Sequence, residues 1–226
     1  MIVQTLDKIG YSIIDTVRPI LKRTDFIDIR DVTEWVKEER NFLAKQQIDK
    51  NSPFIPKGFL QSEKVTTTPL KIFNKYPDIN VITTQNLPKI LSYSKGTYAI
   101  DSISYKDFFV DKIHFIDNSN SLLNYVNSDR FDKQSLYSTI INGELVIAGK
   151  DSILVRGLQE VYVKAVYTDP ESISTFNVKT DIFPIEESLI SLLENKVIKE
   201  RYGIQISNYY DSINNEKHDL TNSPTK

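Results

Sequence analysis

The stretch that most limits what this chain can become is Asp31–Gln47, Asp-Val-Thr-Glu-Trp-Val-Lys-Glu-Glu-Arg-Asn-Phe-Leu-Ala-Lys-Gln-Gln. Asp31 can accept from the first free backbone N–H groups of a helix, and Glu34 three residues later completes a capping-box pattern. Val32, Trp35, Val36, Phe42 and Leu43 recur at helical spacing and predict an apolar stripe. Lys37, Glu38, Arg40, Asn41 and Lys45 fall on the other face. Such a helix needs a partner for its apolar side. Trp35 is the single tryptophan of the chain, and truncating a fully buried one to Ala costs about 3–5 kcal/mol.

Two further segments supply partners. Leu6, Ile9, Ile13, Val17 and Ile20 predict an amphipathic helix, with Pro19 expected to kink or stop it near Arg18 because proline lacks the N–H and crowds the preceding turn. Near the other end, Pro184 suits a first helical turn and Glu186 and Glu187 suit its positive end. Ile185, Leu189, Leu192, Leu193 and Val197 continue the stripe and Gly203 interrupts it.

Between these helices the period changes from near four to two. Val65–Thr68, Asn80–Thr84, Thr97–Ser104 and Val110–Ile116 read as strands, with Pro69 marking an edge or a break before Leu70–Phe73. Leu122–Gln134 reads as polar and irregular, anchored by Tyr125, Val126 and Phe131. The strongest β signal is Leu136–Ile141, Asn142-Gly143, Glu144–Ala148, a hairpin whose Asn-Gly turn matches the twist of its strands. Val161, Val163 and Ala165 alternate with Tyr162 and Lys164 in another strand, ended by Asp169-Pro170. The expected fold is α+β. Residues 1–50 with 181–213 form a helical hub, residues 61–170 an inserted antiparallel β-sandwich or barrel-like block, and 214–226 a flexible tail.

Composition removes whole classes of chemistry. With no cysteine there is no disulfide, thiolate nucleophile, zinc–cysteine site or iron–sulfur cluster. The 28 basic and 30 acidic residues are mixed along the chain, so neither DNA nor an anionic membrane surface is attracted by charge. No apolar run reaches bilayer length and the first residues do not resemble a signal peptide, which predicts a soluble chain made in the cytoplasm.

Phosphate-loop, dinucleotide-binding, nucleophile-elbow and zincin motifs do not occur. His114 could act as a general base with Asp111 or Asp117, but an isolated histidine in a strand is far more often a hydrogen-bonded sheet residue. Asp117–Ser121 starts like a calcium loop, yet Leu122 stands where that loop requires glycine and the closing glutamate is missing. These residues predict no catalytic site, no metal and no cofactor. Tyr209, Tyr210 and Ile213 form either a protein–protein anchor or a flank on the chain's own core.

Four segments together resemble the head-to-tail connector, or ring, proteins of short-tailed bacteriophages, in particular the crAss-like phages. They are Glu34-Trp-Val-Lys-Glu-Glu-Arg-Asn-Phe-Leu-Ala-Lys, Leu87-Pro-Lys-Ile-Leu, Gly96-Thr-Tyr-Ala-Ile and Val161-Tyr-Val-Lys-Ala-Val-Tyr-Thr-Asp-Pro, within residues 1–213. The resemblance implies a structural virion protein of the phage neck or tail, without catalysis or cofactor. Its copies would form a homo-oligomeric, dodecameric ring in the portal–tail connector, in contact with portal and adjacent tail proteins. DNA would pass through the lumen without sequence-specific binding. In that setting Arg40 and Lys37, on the charged face of the opening helix, would meet the next subunit. The other reading is a β-domain binding or adhesion module that uses Asn118–Asp132 as its contact loop.

Overall fold

The computed structural model describes residues 4–21, 27–51, 54–69, 79–93, 96–105, 112–127 and 135–204. It is a mixed α+β fold in two compact units, Met1–Leu43 with Val178–Lys226, and Ala44–Asn177.

The first unit contains α1 (Leu6–Leu21), the first half of α2 (Ile29–Asn51) and a C-terminal helix, Ile190–Tyr202. Leu6, Ile9, Ile13, Ile14 and Val17 bury one side of α1. Gly10 lets α1 approach α2 closely, since a Cβ there would stand 2.7 Å from Ile29 Cδ1. The α1 helix runs through Pro19 to Leu21 instead of stopping near Arg18. Only two residues follow the proline, so its missing N–H and its crowding act on the final turn alone. The α2 helix also starts earlier than expected. Asp28 Oδ1 accepts from the Arg30 N–H at 2.9 Å, which places Asp31 inside the first turn.

Pro184 does not open the C-terminal helix. A 3-10 turn at Glu187–Leu189 precedes it, and α-helical geometry begins at Ile190. Gly203 ends it in the left-handed region, φ 68°, with its N–H bonded to the Lys199 carbonyl. Leu193, Val197 and Ile198 are buried, whereas Leu192 is exposed. The continuation through Tyr209, Tyr210 and Ile213, and the tail at 214–226, lie outside the described residues.

The second unit is a seven-stranded, nearly closed barrel-like sheet. Its strands are β1 (Gln61–Pro69), β2 (Asn80–Thr84), β3 (Ile100–Ser104), β4 (His114–Phe115), β5 (Tyr137–Ile141), β6 (Glu144–Gly149) and β7 (Glu160–Ala165), in the spatial order β3-β7-β1-β2-β6-β5-β4. The Ile113 N–H donates to the Ile103 carbonyl at 2.8 Å and Ser104 bridges Lys112, which draws the two edge strands together. All ladders are antiparallel except β4 on β5, which is parallel.

The Asn142-Gly143 turn has φ of 54° and 85°, and Ile141 faces Glu144 across it. Val161, Val163 and Ala165 point into the core from β7. The strand expected at Val65 begins at Gln61 and lies between β7 and β2, not at an edge. Pro69 is its last residue; the expected continuation at Leu70–Phe73 lies outside the described residues.

Two short helices pack on opposite faces of β6. Helix α3 (Leu122–Asn127) replaces the expected irregular stretch; its Leu122 and Val126 pack with Tyr137, Val146 and Ala148. Tyr125, expected as an anchor, is exposed instead. Helix α4 (Ser152–Gly157) inserts Val155 among Ile82, Leu136, Leu145 and Ile147. Alternate residues of a strand point to opposite faces, so these two residue sets separate the two helices.

Candidate functional site

The residues expected to contact partners fall in three places. Arg40 is 0% exposed, its Nε donating to the Pro184 carbonyl at 2.9 Å and Nη1 to Asn41 Oδ1 at 3.0 Å. Lys37 is 6% exposed and its ammonium pairs with Glu34 at 2.6 Å. Neither therefore lies on a free charged face, contrary to the helical-wheel expectation. The wheel assumed one covered side, but α2 is met by α1 at Ile29 and Thr33, by the Pro184 segment at Arg40, and by the C-terminal helix. Tyr209, Tyr210 and Ile213 lie outside the described residues.

The contact between α2 and the C-terminal helix mixes charge and aromatics. Lys196 pairs with Glu39 at 2.7 Å and its ammonium lies 4.0 Å from the centre of the Phe42 ring. Arg201 pairs with Glu38 and stands over Trp35, whose ring meets Tyr202 edge-on at 5.8 Å. Phe42, placed in the apolar stripe from sequence, keeps 47% of its surface exposed under this cation.

The β unit carries a cleft of about 460 Å³ beside β4 and α3. His114 stacks on Tyr137 with centroids 5.4 Å apart, and Tyr125 lies 6.3 Å from Tyr137 on a tilted plane. The three rings make one continuous aromatic wall. Phe115, Ile116 and Ser135 complete the lining, and Asp117 supplies a carboxylate. Loss of water at the cleft raises the Asp117 pKa above the usual carboxylate value, while the Tyr98 backbone N–H acts in the opposite direction. Sequence reasoning picked out His114 and Asp117 but missed Tyr137. Its partner rings are 12 and 23 residues away in sequence (137−125 and 137−114), so no local spacing signals the stack.

This arrangement suits recognition more than proton transfer. His114 is engaged face-on with a tyrosine, and its backbone belongs to a β ladder with β5. Asp117–Ser121 contains a 3-10 turn, Ser119–Ser121, capped by Asn118, which accepts from the Asn120 N–H, and it leads into α3. Among the described residues no group of His, Asp and Glu is placed to hold a metal ion, and no helix is long and apolar enough to cross a membrane.

Comparison with known families places the chain among structural proteins of bacteriophage tails. It belongs to the crAss ring family described as phage tail ring protein 2, which matches residues 8–220. The protein is thus a phage tail ring protein, a component of the virion that assembles with other phage proteins, and its family is not an enzyme family. No curated protein matches its sequence.

Proposed function

We propose that copies of this chain form a closed, dodecameric ring in the connector between portal and tail, around the channel through which DNA passes. The observation that carries the reading is the ring-family match, which spans residues 8–220 and so includes both units. The formal net charge of −2 agrees with a lumen that lets DNA slide, since a strongly basic wall would hold the phosphates. The ring stacks against the portal protein or an adjacent tail ring, and Tyr209, Tyr210 and Ile213 anchor one such contact. Tyrosines with one apolar and one polar end are common in such anchors.

Mass photometry of the purified chain, followed by cryo-electron microscopy alone and with the portal protein, tests this directly. The expected result is a closed ring with the chain repeated around a central channel. Monomers under both conditions would overturn the proposal.

A further inference from the structure

The β unit presents two unlike patches whose chemistry is complementary. One is the cleft, where the His114–Tyr137–Tyr125 stack stands beside Asp117. Among the described residues Asp117 has no cationic partner. The other is α4. Ile153 is 85% exposed, more than any other large apolar side chain among the described residues. Arg156, one turn on, is exposed and makes no hydrogen bond or ion pair among the described residues.

The fold does not need either side chain. Val155 and Leu158 hold α4 to the core, at 0% and 8% exposure, and Asp151 caps it by accepting from the Ile153 and Leu154 N–H groups. The helix is thereby fixed at both ends while Ile153 and Arg156, three residues apart, project together. An arginine suits an aromatic wall with a carboxylate because its flat cation stacks on rings and pairs with carboxylates at once.

The placement of the two patches matters as much as their chemistry. The α3 helix beside the cleft packs on the Val146 and Ala148 face of β6, and α4 packs on the Leu145 and Ile147 face. The two patches are chemically unlike and are carried by helices that pack on different residue sets of β6, so neither patch is complementary to itself. They suit head-to-tail contact, the kind that closes into a ring when the rotation between neighbours permits.

We infer that Ile153 and Arg156 of one copy seat in the His114–Tyr125–Tyr137 cleft of the next, with Arg156 paired to Asp117. The inference rests on the ring reading and specifies one subunit contact within it. Burial of the aromatic wall and of Ile153 supplies apolar area, and the charge pair sets direction and register.

The test uses the full chain in two single reversals, Asp117→Arg and Arg156→Asp, and the double variant carrying both. Assembly is read by mass photometry alone and with the portal protein, and folding by circular dichroism and thermal melting. Each single reversal is expected to weaken assembly by about tenfold or more, because it sets like charges against each other. The double variant restores assembly. So does an equimolar mixture of the two single variants, since each copy then offers what its neighbour needs.

Asp117→Asn, which keeps size, and Arg156→Gln, which keeps a shorter polar side chain, remove a charge without reversing it; they give smaller losses and guard against a folding artefact. Single reversals that assemble like the unmodified chain would overturn this contact while leaving the ring intact. So would an unrestored double variant that melts normally. If the unmodified chain stays monomeric in both conditions, the ring reading fails and this contact with it.

Discussion

Arg40 shows how one charged residue can work as a core residue. Its stem crosses the interior and its head satisfies the Pro184 carbonyl and the Asn41 side chain. Arg40→Ala orphans that carbonyl and is expected to lower stability by about 1–3 kcal/mol, measured by urea denaturation. Arg40→Glu should lower it further, since it buries a charge without its partners. Both changes should act on folding before assembly, unlike the subunit-contact role that the ring resemblance implied for this residue.

Tyr167 makes a residue-scale prediction of a different kind. Its ring is fully buried, its hydroxyl donates to the Val163 carbonyl at 2.9 Å, and burial pushes its pKa well above the ordinary value, with Glu63 adding to the rise. The folded state thus holds the proton more tightly than the unfolded state, whose tyrosines titrate near pH 10. The stabilisation is complete below about pH 10 and is lost progressively as pH rises toward the folded pKa. Melting temperature should fall above about pH 10. Tyr167→Phe should flatten that fall, at a cost near neutral pH of about 1 kcal/mol for the lost hydrogen bond.

At the scale of elements, two glycines control close approach and chain reversal. Gly143 holds φ at 85°, where any other L-residue is strained, so Gly143→Ala should destabilise the hairpin by about 1–2 kcal/mol. Gly10 lets α1 lie against Ile29 and Thr33. Gly10→Val adds an isopropyl group there and should cost about 1–3 kcal/mol through overpacking. Thermal melting of each variant checks both values. Trp35, half-buried and resting on Tyr202, should cost less on truncation than a fully buried tryptophan, about 1.5–3 kcal/mol.

At the scale of the whole molecule, the proposed ring separates folding residues from assembly residues. Replacing Tyr209, Tyr210 and Ile213 together by serine should leave the melting temperature of the subunit within about 1–2 °C of its original value, as surface substitutions generally do. Capture by the portal or neighbouring tail ring should be lost. Sedimentation of the variant with portal protein is the measurement. A large fall in melting temperature would assign these side chains to the chain's own core instead.

What the amino-acid order determined by itself is local. Periods of two and of about 3.6 placed strands and helices, Asn142-Gly143 marked the hairpin, and Gly203 marked a helix end, because backbone sterics and alternation of faces operate within a few residues. Asp28 rather than Asp31 opens α2, since each can cap only the N–H groups two or three residues after it and the helix already begins at Ile29. Tertiary structure alone decided which sides of α2 are covered. A helix wheel has no record of how many neighbours a helix will have, so Arg40 and Lys37 read as surface although the fold buries them. Contact over long sequence separation also assembled the His114–Tyr137–Tyr125 wall and sent α3 and α4 to opposite faces of β6. Those arrangements follow from closing the sheet into a barrel, a step that depends on pairing Ile103 with Ile113 and β5 with β6 rather than on any local pattern.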